Sequence, residues 1–178
     1  MKIENTFIKG LKVIHTFHFQ DERGSFEKIF NAVVFKKWGM TFDFKELFYS
    51  TSKRNVIRGM HFQLPPFDHE KLVFVLKGKI LDVCVDLRKN SSTYGKYFYI
   101  NLDEDTPVAL YIPKGLAHGF RGLSDENIVF YLTTSVYSKE HDSGIRWNSF
   151  GFDWNCKEPI ISERDKNFLP LAEFKSPF

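Results

Sequence analysis

Short runs of β-branched and aromatic residues, broken by glycine, proline or paired polar residues, recur along most of this chain. Lys71-Leu-Val-Phe-Val-Leu76 leads through the turn signal Lys77-Gly-Lys79 into Ile80 to Arg88, which predicts a hairpin. On the second strand Leu81, Val83, Val85 and Leu87 fall on one face, and Asp82, Cys84 and Asp86 on the other. Buried carboxylates need partners, so the acidic face is expected to look onto solvent or a polar cavity. Further strands are predicted at Tyr97 to Leu102, Val108 to Ile112 and Ile128 to Tyr137. Strands recurring every 8–12 residues or so imply an all-β sandwich or barrel that hides its edges.

Elsewhere the pattern changes. An apolar start (Phe7, Ile8, Leu11, Val13, Ile14) is followed by Asp21-Glu-Arg-Gly24, which reads as a turn. Within Glu27 to Gly39, the residues Phe30, Val33, Val34 and Trp38 form one helical stripe, and Gly39 stands where a helix stops. A peripheral helix is predicted there. From Ser138 onward Trp147, Trp154, Pro159 and Pro170 sit in an irregular tail expected to pack on the barrel.

The 178 residues, 43% of them hydrophobic, suit a single domain spanning 1–178. A net charge of +3 comes from basic residues scattered without a stripe or tail, which argues against nucleic acid as the partner. No apolar run is long enough to span a bilayer, so no membrane association is expected. Cys84 and Cys156 lie far apart with no metal-ligand spacing, as expected of a reduced, cytoplasmic protein. The 20 phenylalanines favour pleated, half-buried surfaces and flat apolar pockets.

Two clusters carry chemistry. Arg58-Gly-Met-His-Phe-Gln63 sets a cation and an imidazole three residues apart, and Pro113-Lys-Gly-Leu-Ala-His118 forces a tight turn that presents His118 to a strand. The second cluster is similar to the second motif of the cupins, whose metal-binding members carry His-x-His in the first motif. Here that place reads His61-Phe-Gln63, and an amide is a poor ligand for the metals that imidazole favours. A metal-free site is therefore expected to work by acid–base chemistry or by binding alone.

Seven segments in order extend the likeness: Asp21-Glu-Arg-Gly-Ser-Phe26, Asn55-Val-Ile-Arg-Gly-Met-His-Phe-Gln63, Lys71-Leu-Val73, Asp82-Val-Cys-Val-Asp-Leu-Arg88, Ser92-Thr-Tyr-Gly95, Ile112-Pro-Lys-Gly-Leu-Ala-His-Gly-Phe120 and Ser162-Glu-Arg-Asp165. Across nearly the whole chain they resemble the dTDP-4-dehydrorhamnose 3,5-epimerase family. The resemblance implies a cupin jelly roll, a homodimer, no metal or organic cofactor, and epimerisation of nucleotide-linked 4-keto sugars at C3, C5 or both. It implies a cytoplasmic enzyme supplying sugars for surface polysaccharide such as capsule. By the same resemblance His61 is the base, Asp165 holds its imidazole, Lys71 stabilises the enolate and Tyr131 is the acid on the opposite face. Asp82 is expected to pair with Lys71, His118 to add a hydrogen bond, and Arg58 with Arg23 to grip the pyrophosphate. Phe26, Gln63 and Tyr137 complete the implied substrate contacts. That chemistry is physically coherent, because a carbon beside a ketone loses its proton when a base meets one face and a donor meets the enolate oxygen. Losing one such donor typically costs about 3 kcal/mol of barrier stabilisation.

Taken singly, the same residues have plainer readings: Tyr131 as a core tyrosine, Asp165 as a helix-cap carboxylate, Lys71 as a solvated strand end. The chain also departs from the family at Glu46 and Phe48, where Gln-x-Asn is usual, and at Lys28 where Glu is usual. A carboxylate suits the adjacent N1–H and N2–H₂ donors of guanine, and a phenyl ring gives a purine a surface to stack on, so the expected substrate is either the dTDP-linked 4-keto-6-deoxyhexose usual in the family or a GDP-linked 4-keto hexose or heptose. Equally, Glu46 could pair with a surface lysine. Two other functions are open: a 3,4-ketoisomerase, against which Phe62-Gln63 speaks because that activity usually brings a second histidine, and a sugar-binding cupin without chemistry.

Overall fold

The computed structural model describes residues 1–40 and 43–178. In chain order the strands are β1 (Lys2–Asn5), β2 (Lys12–His15), β3 (Phe17–Asp21), β4 (Gly24–Lys28), β5 (Glu46–Ser52), β6 (Ile57–Gln63), β7 (Lys71–Lys77), β8 (Lys79–Asp86), β9 (Tyr97–Asp103), β10 (Val108–Ile112), β11 (Leu116–Gly122), β12 (Asn127–Thr133) and β13 (Asp142–Gly144). Two short helices, α1 (Ala32–Lys37) and α2 (Glu163–Lys166), interrupt them. A six-stranded sheet runs β1-β2-β10-β7-β12-β5 and a five-stranded sheet runs β13-β6-β11-β8-β9, while β3 and β4 form a hairpin of their own. The pairings within the two large sheets are antiparallel.

Alternation explains why the sheets close face to face. Val73, Val75, Leu110, Val129 and Tyr131 from the six-stranded sheet meet Ile80, Cys84, Leu102 and Phe120 from the five-stranded one in a single buried cluster. The opposite faces of β6, β8 and β11 send Met60, Val83, Val85 and Ala117 against Ile145, Phe150 and Trp154 of the tail. The result is a jelly-roll sandwich with the tail wrapped over one sheet. No helix among the described residues is long and apolar enough to cross a membrane.

Several elements differ from the sequence expectation. The predicted helix shrinks to α1, because Gly24–Lys28 pairs with Phe17–Asp21 and leaves Glu27 and Lys28 in a strand. Asn31 then fixes the helix start by accepting from the amides of Val33 and Val34 at 3.0 and 3.1 Å. The buried face is Phe35, stacked edge-on against Phe30, while Val33 of the expected stripe is 65% exposed. β12 ends at Thr133, whose hydroxyl turns the chain by donating to Ser135 O at 2.9 Å, so Tyr137 lies in a loop. The acidic face of β8 does not meet solvent: Asp82, Cys84 and Asp86 are all fully buried. Asp86 is bound away from any cavity by Arg88 Nε at 2.8 Å and by the hydroxyls of Ser91 and Thr93 at 2.6 Å each.

Candidate active site

A cavity of about 360 Å³ opens between the two sheets, with His61, Lys71, His118 and Tyr131 in its wall. The register of β6 on β11 sets His61 directly opposite His118, so the two imidazoles share one end of the sandwich. His61 and His118 come from the five-stranded sheet; Lys71 and Tyr131, on β7 and β12, come from the other.

Each histidine sits on a carboxylate. His61 Nε2 lies 2.8 Å from Asp165 Oδ1, and the second oxygen of Asp165 accepts from the Gly59 amide at 3.1 Å. Ser162 caps α2 by accepting from the Asp165 amide at 3.1 Å, which holds that carboxyl in place. Burial alone would raise the Asp165 pKa, but His61, Gly59 and Ser162 together hold it below the usual carboxylate value. Asp165 is thus a buried group and not a surface cap. With Nε2–H given to Asp165, the free lone pair of His61 is at Nδ1.

His118 Nε2 lies 2.8 Å from Asp82 Oδ2, both side chains being buried. Here the structure corrects the expected Asp82–Lys71 pair, since Asp82 is committed to His118 and no ion pair joins it to Lys71. The reason lies in register: Asp82 on β8 is directly across from Phe120 and close to His118 on the adjacent strand, whereas Lys71 belongs to the facing sheet. Its other oxygen, Oδ1, has no hydrogen-bond partner. Lys71 therefore stands in the cavity without a carboxylate partner among the described residues, and burial pushes its pKa down to about 8 despite the negative groups at Asp142 and Asp82.

Tyr131 stacks on Phe48 at 4.7 Å, and its hydroxyl lies 3.4 Å from Ser50 Oγ. Burial raises its pKa, so the phenol keeps its proton. Arg58 lines the cavity, steadied by Ser52 Oγ at 2.9 Å and Thr51 O at 3.1 Å. Gln63 holds the mouth loop, with its amide nitrogen donating to Phe67 O and Val136 O and its oxygen accepting from the Ser138 amide. Glu46, Phe48 and Tyr137 also line the cavity, and Glu46 Oε2 accepts from the Tyr137 amide at 2.8 Å, where a surface lysine was one expectation.

Two expected contacts are not brought in. Arg23, whose side chain is 82% exposed and paired with Asp21, and Phe26 sit on the β3–β4 hairpin, outside the cavity wall. Conversely, sequence reasoning passed over His69, Ser50 and Asp142, all of which line the cavity. His69 stands two residues before Lys71 but outside β7, so strand periodicity gave no signal for it. No group of three or more His, Cys, Asp or Glu among the described residues is arranged to hold a metal ion.

A jelly roll whose inner cavity gathers two carboxylate-bound imidazoles, an ammonium and a phenol is a cupin equipped for acid–base work. The chain belongs to the dTDP-4-dehydrorhamnose 3,5-epimerase family, whose sequence model matches residues 5–173. It is 43% identical to the dTDP-4-dehydrorhamnose 3,5-epimerase of Methanothermobacter thermautotrophicus over 173 residues, covering 94% of this chain and 93% of that one. It superposes on the Bacillus anthracis enzyme of the same name, solved with TDP and pyrophosphate bound, with a TM-score of 0.92 at 37% identity, covering 95% of this chain and 98% of that one. The Legionella pneumophila dTDP-6-deoxy-D-glucose-3,5-epimerase, in complex with dTDP-4-keto-L-rhamnose, gives a TM-score of 0.93 at 33% identity, covering 98% of this chain and 94% of that one.

An unpaired, desolvated ammonium destabilises the fold while it is charged. Lys71→Met is expected to raise stability at pH 7 by roughly 1 kcal/mol, a Tm increase of about 2–4 °C for a chain of this size. Because the folded pKa of about 8 lies below the unfolded value of 10.5, wild type recovers stability as pH rises from 8 to 10.5, and the advantage of the variant shrinks there. Thermal unfolding at pH 7 and pH 10 checks both parts, and a lower Tm for the variant at pH 7 would contradict the unpaired state of Lys71.

Proposed function

We propose that this chain is an isomerase that epimerises a nucleotide-diphosphate-linked 4-keto sugar at the carbons flanking the ketone. The observation that carries the reading is that His61 and Tyr131 line one cavity from opposite sheets, a lone-pair base on one wall and a protonated phenol on the other. His61 Nδ1 takes the α-proton, the C–H electron pair moves into the C=C bond, and the carbonyl oxygen becomes an enolate oxygen. Lys71 donates to that oxygen. Tyr131 then delivers its proton to the other face of the carbon, the enolate collapses to the ketone, and configuration is inverted. Asp165 stabilises the imidazolium that forms on His61. His118, held by Asp82, supplies a fixed polar contact to the sugar, and Arg58 meets the pyrophosphate.

Arg23 and Phe26 take part only if a second copy of the chain brings the β3–β4 hairpin to this cavity. The hairpin's exposed Phe17, Phe19 and Phe26 support such a homodimer. For the base, the cavity offers the carboxylate of Glu46 and the ring of Phe48. The Tyr137 amide occupies one acceptor position on Glu46 Oε2 and leaves others on both oxygens, enough for the paired donors of guanine.

Three measurements test these points. In deuterated water, wild type is expected to exchange the α-protons of a nucleotide 4-keto-6-deoxyhexose; His61→Ala should lose this by at least 100-fold, whereas Tyr131→Phe should retain exchange and lose inversion. Equal exchange by His61→Ala and wild type would remove His61 from the reaction. Sedimentation at micromolar concentration should give a particle of two chains, and a particle of 20.9 kDa would refute the dimer. Calorimetry with GDP and dTDP decides the base: GDP binding at least tenfold more tightly, a difference of about 1.4 kcal/mol, supports the guanine assignment, and dTDP binding at least tenfold more tightly refutes it and restores a dTDP-linked substrate.

A further inference from the structure

His69 lies in the cavity wall beside Gln63 and Lys71, and the mechanism above gives it no part. Its protonation follows from its neighbours. Gln63 Oε1 accepts from the Ser138 amide at 2.6 Å, which fixes the orientation of that side-chain amide. The two hydrogens of Gln63 Nε2 go to Phe67 O at 2.9 Å and Val136 O at 3.1 Å. None remains for His69 Nδ1, which lies 3.2 Å from the same nitrogen. Nδ1 therefore carries its own hydrogen and donates it to Phe67 O at 3.3 Å. Burial, with the charge of Lys71 next in weight, pushes the imidazole pKa down to about 3, so the ring is neutral and Nε2 bears a lone pair. No group among the described residues is hydrogen-bonded to Nε2.

We infer that His69 Nε2 is a hydrogen-bond acceptor for the substrate's C3 hydroxyl and so a specificity-determining residue of this site. The inference rests on the epimerase reading, which puts the ketone oxygen at Lys71. His69 and Lys71 line the same cavity, close enough for the Lys71 charge to act on the imidazole, so His69 reaches the neighbourhood that Lys71 reaches. Of the two carbons flanking the ketone of a 4-keto-6-deoxy sugar, C5 carries a methyl group and the ring oxygen, neither of which donates a hydrogen bond, and C3 alone carries a hydroxyl. A lone-pair acceptor next to the ketone's donor thus has one partner to accept from. The C3 oxygen stays beside the ketone oxygen when the enolate forms toward C3, because the enolate is flat across both carbons. The pair Lys71 and His69 then reads two vicinal oxygens, one as acceptor and one as donor, which orients the ring between His61 and Tyr131.

The test compares a 4-keto-6-deoxyhexose with its 3-deoxy analogue, each supplied as the dTDP and the GDP conjugate, by α-proton exchange in deuterated water. His69→Leu is expected to lower kcat/KM about tenfold on the 3-hydroxy sugar, mainly through KM, and to leave the 3-deoxy sugar within twofold of wild type. His69→Gln, whose amide oxygen also accepts, should stay within about threefold of wild type on both. An equal loss on both sugars in His69→Leu, or a loss in His69→Gln as large as in His69→Leu, would overturn the assignment while wild-type exchange keeps the epimerase reading intact. If His69→Leu does not fold, His69→Met carries the same comparison. Absence of exchange by wild type on every conjugate would fell the epimerase reading, and the role of His69 with it.

Discussion

Where β6 and β11 run side by side, their backbones come closer than any side chain would allow. A Cβ on Gly59 would stand 2.7 Å from Gly119 Cα, and one on Gly119 would stand 2.7 Å from both Arg58 O and Met60 Sδ. Gly59 also holds φ at +148°, a conformation that L side chains rarely adopt. The ladder shifts register between His118 and Phe120, at this approach. The site depends on that contact. It lets His61 and His118 face each other across the ladder, and it exposes the Gly59 amide to Asp165, which returns to bind His61. One close approach of backbone therefore places both imidazoles and recruits the carboxylate of the first.

The polar groups gathered there are treated unequally, and the inequality follows the chemistry. Asp165 has both oxygens engaged and its pKa held down, which suits a group that must stay charged while its imidazole gains a proton. Asp82 is fully buried with one oxygen on His118 and one without a partner, an arrangement that fixes His118 at some expense in desolvation. Lys71 is left without a counter-ion, so its charge remains available to an oxyanion arriving with the substrate. A carboxylate on Lys71 would stabilise the empty protein and compete with that enolate.

Much of this was legible in the chain. The alternation of β8, the Lys77-Gly-Lys79 turn and the run from Val108 to Ile112 located strands because period-two patterning and turn chemistry are local. The His61 and His118 segments stood out because glycine and proline crowd around them. What failed was non-local. The stripe from Phe30 to Trp38 gave no sign that Gly24–Lys28 would pair with Phe17–Asp21 and cut the helix short. The partner of Asp82 depended on which strand lay next to β8, and periodicity carries no information about neighbours. His69 passed unnoticed because an isolated histidine near a loop means little until its tautomer can be argued from the groups around it.

The arrangement also separates what must stay fixed from what can vary. His61, Lys71, His118 and Tyr131 project from strands whose register is locked by pairing on one or both sides, so a substitution that moved one would break ladders as well as chemistry. Glu46 and Tyr137 lie at the start of a strand and in a loop, tied to each other by one hydrogen bond. Phe48 is on β5, an edge strand whose one partner among the described residues is β12, where it lies directly across from Tyr131 and stacks on its ring. Phe48 and Tyr137 are both exposed, so changing them removes little buried packing. The proposed proton chemistry rests on the paired strands of the two walls, and the residues at the mouth are the part of this chain least bound into them.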